Sequence, residues 1–242
     1  MNEQLSILPS SHGDDEDSSI EQKFLFDATR RSLLLDWLEF HMLRDPQFYF
    51  SPVVSIYYDT PSLSFYGEVC NGDYLKTKVR LRHYQKEIPA GQTNVRCFSE
   101  IKRKFGAHRH KRREPLTIAA HCLQGDLFSD PTIRGVPDGM PECRLLARGI
   151  LSPVLVVEYE RFRFVEPQSG ARISLDAKIC CSSANSVCFR GTAPVFLQTG
   201  VLEVKGASDS LPGCLRPMQR FLYKQSFSKY ARCCELLLNP NS

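Results

Sequence analysis

Alternation of charged and apolar positions is the clearest pattern in the chain. In YLKTKVRLRHY, residues 74–84, positions 76, 78, 80 and 82 are all Lys or Arg, and the positions between them are Thr, Val and Leu. Because successive side chains of a β-strand point to opposite faces, this stretch predicts a strand with one cationic face and one mostly apolar face. Like charges two positions apart lie only about 7 Å from each other, which is unfavourable without a compensating anion.

The same sorting of charged and apolar positions recurs in four further segments. The residues that would share the charged face are Glu100, Lys102 and Lys104; Tyr159, Arg161 and Arg163; Arg172, Ser174 and Asp176; and Glu203 and Lys205. A single such strand is ordinarily part of a sheet with one solvated face. Five strands dominated by Arg and Lys predict instead that the charged faces converge. We therefore expect an α+β fold in which a closed antiparallel β-barrel forms a tunnel with a charged lumen and helices cover its outside.

Helical periodicity is predicted near both ends of the chain. Residues 26–43 carry an apolar stripe of Leu34, Trp37, Leu38 and Met42 behind Asp27, a possible N-cap. Residues 215–225 and 228–238 predict two more helical segments, the second being a C-terminal helix. Strands are predicted at 53–60, 74–84, 95–104, 153–164, 171–179 and 195–205. The region from about 114 to 152 is expected to be an insertion with a short helix and a loop.

Composition limits the classes of protein that the chain can belong to. Its 242 residues are 42% hydrophobic, and 31 Lys and Arg against 27 Asp and Glu give a net charge of only +4. A strongly cationic site must therefore come from local focusing of charge, and a general nucleic-acid coat protein is disfavoured. No apolar run is long enough for a membrane helix, so no direct membrane insertion is expected. Residues 1–20 predict a disordered acidic tail, and without signal features the expected location is cytoplasmic.

Cysteine and histidine offer little evidence for a metal site. The ten cysteines are scattered or adjacent in pairs, and no CxxC spacing occurs. Reduced, partly buried thiols are therefore favoured over a zinc site or a disulfide framework. His108 and His110 lie in the basic stretch AHRHKRR, which would oppose a bound cation.

Converging cations favour a polyanionic ligand. Arg matches phosphate oxygens with its planar fork, Lys supplies point charges, and isolated carboxylates suit a divalent cation that bridges phosphates. These residue types together suggest a metal-bound triphosphate or polyphosphate. The chain has no GxxxxGK[ST] loop, so side chains must hold the phosphates. Phosphoryl transfer at such a site depends on positioning and charge neutralisation more than on a strong base.

An ordered set of motifs resembles a known family. The set comprises ExKF at 21–24, SIYYDTPSLSFY at 55–66, KVRLRHY at 78–84, SEIKRK followed by HKRR, VEYERFRF, ARISLD, LEVK and FSKY at 227–230. It is similar to the catalytic domain of the vacuolar transporter chaperone (VTC) family, polyphosphate polymerases of the triphosphate tunnel metalloenzyme (CYTH-like) superfamily. The resemblance implies that residues 21–242 form one triphosphate tunnel domain.

The resemblance also implies roles for individual residues. Catalytic neutralisation of the transferring phosphates falls to Arg80, Arg82, Arg161, Arg172 and Lys102. Further phosphate contacts fall to Lys23, Lys111, Tyr159, Lys205, Ser228 and Lys229. Glu203 corresponds to the ligand of a Mn²⁺ or Mg²⁺ ion. The implied reaction moves the γ-phosphoryl group of ATP onto a growing inorganic polyphosphate chain, and ATP and polyphosphate are the expected partners.

Several alternatives stay open at this point. The same tunnel could serve a tripolyphosphatase or nucleoside triphosphatase, or a polyphosphate-binding module without turnover. Hydrolases of the superfamily begin with ExExK, and the first Glu position is Ser19 here, which resembles the polymerase branch. Nucleic-acid binding is disfavoured because exposed aromatic residues do not alternate with the cations. Glu21, Glu100 and Asp176 could equally contact metal or order the lysines, and Lys76 and Lys78 are expected near the tunnel mouth.

Overall fold

The computed structural model describes residues 20–106, 108–146 and 149–239. Its main element is one antiparallel sheet. The strands are β1 (Ile20–Asp27), β2 (Leu43–Arg44), β3 (Phe50–Asp59), β4 (Leu75–His83), β5 (Asn94–Phe105), β6 (His108–Ala119), β7 (Ser152–Val165), β8 (Arg172–Ala184), β9 (Val195–Phe196), β10 (Thr199–Gly206) and β11 (Tyr223–Lys224). Their order in the sheet is β11-β1-β10-β8-β7-β3-β4-β5-β6, and the short strands β2 and β9 pair with β7 and β8.

Helices occupy the connections and the C-terminal end of the described chain. They are α1 (Arg31–His41), α2 (Ser64–Cys70), α3 (Ala120–Gln124), α4 (Pro131–Arg134), α5 (Pro141–Leu146) and α6 (Lys229–Leu238), with 3-10 turns at Ala28–Arg30, Val136–Gly139 and Gly213–Phe221. Within the described ranges, every helix is too short or too polar to span a lipid bilayer. The predicted acidic tail falls on residues outside the described range, except for Ile20, which opens β1.

The predicted sorting of side chains between two faces is confirmed in β4. Thr77, Val79 and Leu81 are buried, and Val79 and Leu81 belong to an apolar cluster with Ile56, Ile101 and other residues. This cluster also contains residues of α3, α4 and α5, such as Cys122, Ile133 and Cys143. The alternate positions of β4 form part of the opposite face, which we call the charged face. It includes the even-numbered positions of β4 and β5 and the odd-numbered positions of β1, β6, β7 and β10.

The predicted closed barrel is wrong, because the sheet is open. The outer edge of β1 is taken by the short strand β11 at Phe24 and Leu25, and within the described residues β6 pairs only with β5. The two ends of the sheet are joined by side chains rather than by a ladder of backbone hydrogen bonds. Arg109 Nη1 of β6 lies 3.0 Å from Glu21 Oε2 of β1.

The open sheet is nevertheless strongly curled. Lys102 of β5 and Glu21 of β1 belong to strands six places apart, which would be about 29 Å in a flat sheet. Their Nζ and Oε2 atoms are 3.6 Å apart. The charged faces of distant strands therefore converge, although the sheet does not close into a barrel.

Helix α6 closes part of the concave side. Tyr230, Cys233 and Leu237 of this helix are buried in a cluster with Tyr57 and Tyr159 of the sheet. The ring of Tyr230 stacks on that of Tyr57 with centroids 5.0 Å apart, and its hydroxyl donates to Asp59 Oδ2 at 2.6 Å. The predicted helix at 228–238 is confirmed, and its first turn is anchored against the charged face.

The other predicted helices need correction. The segment 26–43 continues β1 as far as Asp27, whose carboxylate accepts from the backbone of Thr29 as predicted for a cap, and α1 starts only at Arg31. The segment 215–225 is a 3-10 turn followed by β11. Pro217 lies inside this turn and lacks the backbone N–H that an α-helix would use there.

Strand β6 is the main element that the sequence did not predict. It pairs with β5 along its whole length, from Phe105↔His108 to Asn94↔Ala119. Gly106 lies between the two strands with φ of +59°, and a Cβ there would meet the side chain of Tyr74, so this tight connection requires glycine. The predicted insertion therefore begins only after Ala119.

Candidate functional site

Three neighbouring strands place cations in rows across the charged face. The register brings Lys76, Lys104 and Arg109 into one row, Lys78, Lys102 and Lys111 into the next, and Arg80, Glu100 and Arg113 into the third. Arg82 and Phe98 begin a fourth row. The first and fourth rows are six residues apart, or about 20 Å along the strands. The face thus changes from Lys-rich at one end to Arg and aromatic residues at the other.

Glu21 is the carboxylate that joins both ends of the sheet. It lies 3.0 Å from Lys23 and 3.8 Å from Lys205, in addition to its contacts with Lys102 and Arg109. Burial would raise the pKa of Glu21, but Lys23, Lys102 and Lys205 together lower it to about 2. Glu21 is therefore ionised at neutral pH and orders the lysines around it, one of the two roles that the sequence left open.

Glu100 plays the same part for the arginines of β4 and β6. Arg80 Nε donates to its Oε2 at 2.6 Å, Arg113 lies at 3.4 Å and Arg82 at 3.8 Å. Burial opposes ionisation, yet Arg80 and Arg82 lower the pKa of Glu100 to about 2. Arg82 is further fixed by Ser55 Oγ at 3.0 Å. Both arginines are thus held with their guanidinium groups on the charged face.

Asp176 is fully buried and holds two cations from different elements. Arg161 donates to both of its carboxylate oxygens at 2.6 Å, and Lys229 Nζ at the start of α6 donates to Oδ2 at 2.6 Å. Despite burial, Arg161 and Lys229 hold the pKa of Asp176 far below its usual range. Lys229 also lies 4.7 Å from the centroid of the Tyr159 ring, and the Tyr159 hydroxyl accepts from Arg82 at 3.2 Å.

Glu203, the residue that the sequence predicted to bind a divalent cation, lies on the charged face. Its carboxylate is 13% exposed, 3.4 Å from Lys205 Nζ and 3.9 Å from Arg161 Nη2. Burial raises the pKa of Glu203, but Arg161 and the nearby lysines bring it below the ordinary value, so the group is an anion at neutral pH. No cluster of three or more metal-type side chains occurs in the described parts of the chain. Glu203 therefore fits a metal that takes most of its ligands from substrate oxygens and water.

Lys78 is a half-buried cation surrounded by like charges, and no salt bridge to it occurs among the described residues. Burial lowers its pKa, and the like charges of Lys23, Lys102 and Arg80 lower it further, to about 7. The sequence predicted Lys78 near the tunnel mouth. In the structure it is half-buried, and Lys23 of β1, Lys102 of β5 and Lys229 of α6 all lower its pKa. The alternation of cations in β4 placed Lys78 on the charged face. Neither the alternation nor the family resemblance gave it a role in phosphate binding.

Three further residues predicted from the sequence are Arg172, Lys111 and Ser228. Arg172 is exposed and stands opposite Lys205 across β8 and β10, and Lys111 is exposed on β6 opposite Lys102. The Ser228 hydroxyl accepts from Ala231 N at 3.2 Å as the N-cap of α6. Ser228 therefore fixes the first turn of α6, to which Lys229 belongs.

The arrangement can bind an extended chain of phosphates. The carboxylates of Glu21, Glu100 and Asp176 hold the surrounding cations in fixed positions. Lys78 lies among these cations and forms no salt bridge with any described residue. Such preorganised cations stabilise a negative charge without rearranging when it arrives. The curled sheet and its charged face thus define a protein of α+β class with a preorganised cationic site suited to a polyanion.

Comparison with known proteins identifies the family. The model of the VTC domain matches residues 18–238, so the chain belongs to the VTC domain family. A candidate adenylate cyclase of Bacillus halodurans has a similar fold, with a TM-score of 0.54 and 12% identity over 89% of this chain and 97% of the other. A candidate adenylate cyclase of Vibrio parahaemolyticus matches with a TM-score of 0.43 and 14% identity over 90% and 98%. No curated protein matches.

Proposed function

We propose that this protein is a metal-dependent polyphosphate polymerase that transfers the γ-phosphoryl group of ATP to the end of an inorganic polyphosphate chain. The observation that carries the proposal is Lys78, a cation enclosed by other cations and left without a counter-ion among the described residues. Membership of the VTC domain family supports it. A bound phosphate chain would compensate this charge along the rows of β4 and β5.

The proposed transfer needs little from the protein beyond positioning. A terminal oxygen of the polyphosphate chain forms a bond to the γ-phosphorus, the bond from that phosphorus to the β,γ-bridging oxygen breaks, and its electron pair leaves with ADP. Arg80, Arg82 and Arg161 neutralise charge on the three equatorial oxygens and on the leaving group. Lys23, Lys102 and Lys229 hold the flanking phosphates.

A divalent cation is part of the proposal. Glu203 would hold the Mn²⁺ or Mg²⁺ ion, which would supply positive charge to the transferring phosphates. The Glu203 carboxylate would offset the repulsion between the ion and the cations Arg161 and Lys205, which are 3.9 and 3.4 Å from it. Glu21, whose oxygens are already paired with four cations, serves to orient lysines.

The test of the proposed activity is a product analysis. Purified protein is incubated with ATP and Mn²⁺, and the products are separated on a gel that resolves polyphosphate by length. A ladder of long chains together with ADP supports the polymerase. Free phosphate as the sole phosphorus product besides ADP would replace it with a triphosphatase, and the absence of any turnover would leave a binding module.

Removing Arg80 should weaken phosphate binding strongly. Arg80→Ala takes away a fixed guanidinium and leaves Glu100, only 4% exposed, short of its closest partner. Since a hydrogen bond to a charged group contributes about 1.5–3 kcal/mol, we expect a tenfold to hundredfold loss in affinity for tripolyphosphate by calorimetry. Arg44→Ala, which removes a 63% exposed guanidinium outside the charged face, is the matched control. Equal effects of both substitutions would contradict the assignment of Arg80.

Phosphate binding should take up a proton at Lys78. The pKa of Lys78 is about 7 in the free protein. It must rise when a phosphate chain binds, because the anion then outweighs the surrounding cations in its effect on Lys78. Above pH 7 the free protein has lost this proton and the complex retains it, so affinity should fall as the pH rises. At pH 8 we expect uptake of about one proton more by the unchanged protein than by Lys78→Met.

Calorimetry in two buffers of different ionisation enthalpy measures this uptake. The facing charged groups are Lys23 on β1, Arg80 on β4, Lys102 on β5 and Lys229 on α6, and all are kept in the variant. Lys76→Met makes the same substitution one position along the charged face and serves as the control. Identical proton uptake by Lys78→Met and the unchanged protein would show that Lys78 does not meet the phosphates.

A further inference from the structure

One end of the charged face has an aromatic surface among its cations. The ring of Phe98 stands directly opposite Arg82 in the register of β5 and β4, at a position where the other rows carry charged residues. Phe98 is half-buried, in contrast to its apolar neighbours Val95 and Cys97, which are fully buried on the other face. Its ring is therefore part of the site and not of the core.

Arginine and tyrosine side chains extend this aromatic surface. The Arg113 guanidinium lies 3.8 Å from the centroid of the Phe98 ring, and the guanidinium of Arg96 lies 5.5 Å from it. Tyr84 meets Phe98 edge to face at 5.9 Å and accepts from Arg113 Nη2 at 3.1 Å. Arg113 is also tied to Glu100 at 3.4 Å and keeps 36% of its side chain exposed. The result is a fixed cluster of two aromatic rings and a guanidinium plane, with part of the Arg113 side chain accessible.

Aromatic rings and guanidinium planes bind nucleobases. Bases stack on aromatic rings and on guanidinium planes, and the exposed part of Arg113 and the half-buried ring of Phe98 offer both. The Lys-rich end lacks this combination. There Tyr74 packs edge-on against Phe105 at 4.6 Å, and no Arg stacks on either ring among the residues that the structure describes.

We propose that Phe98, Tyr84 and Arg113 form the platform for the base of the nucleoside triphosphate, with its phosphates directed along Arg82 and Arg80 towards Lys78 and Lys102. This inference rests on the proposed function, in which a nucleoside triphosphate is the phosphoryl donor. The span from Arg82 to Lys78 is four residues, about 13 Å, which an extended triphosphate can bridge. The growing polyphosphate chain then occupies the Lys-rich end at Lys76, Lys104 and Arg109.

The types of cation along the charged face agree with a nucleotide whose base lies at the Arg82 end. Flexible lysines, which act as point charges, suit a phosphate chain that must slide as it grows, whereas arginines fixed by Glu100 suit the phosphates of a nucleotide that is held in one place. Stacking is tolerant of base identity because every base has a π face. ATP and GTP should therefore bind with similar affinity, and inorganic tripolyphosphate should bind without using the platform.

The test compares ATP with tripolyphosphate in Phe98→Leu. Leucine keeps an apolar group beneath Arg113 and removes the π face. By calorimetry without metal, we expect about a tenfold loss of affinity for ATP and a change of less than about twofold for tripolyphosphate. Tyr84→Leu should show the same selectivity with a smaller loss. Tyr74→Leu, an aromatic substitution at the Lys-rich end, should leave both affinities unchanged.

The outcomes separate this inference from the proposed function. Tripolyphosphate that fails to bind to the unchanged protein would overturn the phosphate site and the platform with it. Normal tripolyphosphate binding with equal ATP affinities in Phe98→Leu and the unchanged protein would overturn the platform alone. A selective loss of ATP binding in Tyr74→Leu instead would reverse the direction of the nucleotide and overturn the inference as well. Thermal unfolding of each variant confirms that it is folded.

Discussion

Replacing Glu203 by Gln is expected to reduce metal-dependent ATP turnover by at least about a hundredfold, or about 3 kcal/mol in the activation barrier. Glutamine keeps the shape of the side chain but removes the negative charge that holds the cation beside Arg161 and Lys205. Binding of tripolyphosphate without metal should stay the same or become tighter, because an anion leaves the neighbourhood of the phosphates. ADP release over a range of Mn²⁺ concentrations measures the first effect, and calorimetry measures the second.

The matched control for this substitution is Glu158→Gln. Glu158 lies on β7 opposite Val54, on the face of the sheet away from the charged residues, and pairs only loosely with Lys86 at 3.6 Å. Its removal should leave turnover unchanged. Retention of full metal-dependent turnover by Glu203→Gln, or a parallel loss in Glu158→Gln, would remove Glu203 from the metal site.

Replacing Asp176 by Asn should destabilise the protein more than any surface substitution. Asp176 is fully buried, and its loss leaves Arg161 and Lys229 without their closest counter-charge. Breaking one partner of a buried ion pair costs about 3–5 kcal/mol, which corresponds to a fall of roughly 10 °C in Tm for a chain of this size. Added tripolyphosphate should restore much of the loss, since it supplies negative charge to the same cations.

The comparison for Asp176 is Glu160, a carboxylate that is only partly buried. Glu160 accepts from Arg31 at 2.7 Å and from Lys178 at 2.8 Å, but these groups are partly in water, so Glu160→Gln should cost less than about 1 kcal/mol. Thermal unfolding without tripolyphosphate gives the loss of Tm in each variant, and unfolding with tripolyphosphate gives the recovery. Similar Tm values for the two variants, or no rescue of Asp176→Asn by the anion, would contradict the role of Asp176 as an organiser of the site.

Local alternation was sufficient to predict which side chains share the charged face. The period of two in β4 assigned Arg80 and Arg82 to one face, and the same parity assigned Lys102, Arg161 and Glu203. Alternation predicts the face of the sheet on which a side chain lies. It does not predict which strand pairs with the edge of that sheet. Closure of the sheet depends on whether β1 meets β6, and the short strand β11 competes for that edge with only two residues. The prediction of a closed barrel failed for this reason.

Strand β6 was missed because its pattern is irregular. From His108 to Arg113 every residue is basic, so no alternation marks the two faces, and Pro115 further weakens a strand assignment. Its long pairing with β5 is stabilised by the partner strand and not by its own pattern. A hairpin could have been inferred from Gly106, which follows the basic strand β5 and precedes an equally basic run.

The function of the carboxylates was beyond sequence reasoning. Glu21 contacts residues of β5, β6 and β10, and Asp176 contacts α6, which is 53 residues away in the chain. These contacts decide that both groups order cations, and they arise only from the curl of the sheet. The same applies to Lys78, whose environment is formed by residues of β1, β5 and α6, and to Phe98, whose stack with Arg113 crosses two strands.

The most direct measurement follows the γ-phosphorus of ATP. The protein is given ATP labelled at the γ-phosphoryl group, Mn²⁺ and a short polyphosphate primer, and label in the polyphosphate fraction is compared with the ADP released. The account predicts equal amounts of label in the polyphosphate chain and of ADP, with both reactions lost in Glu203→Gln. Label recovered entirely as free phosphate, in an amount equal to the ADP, would contradict it.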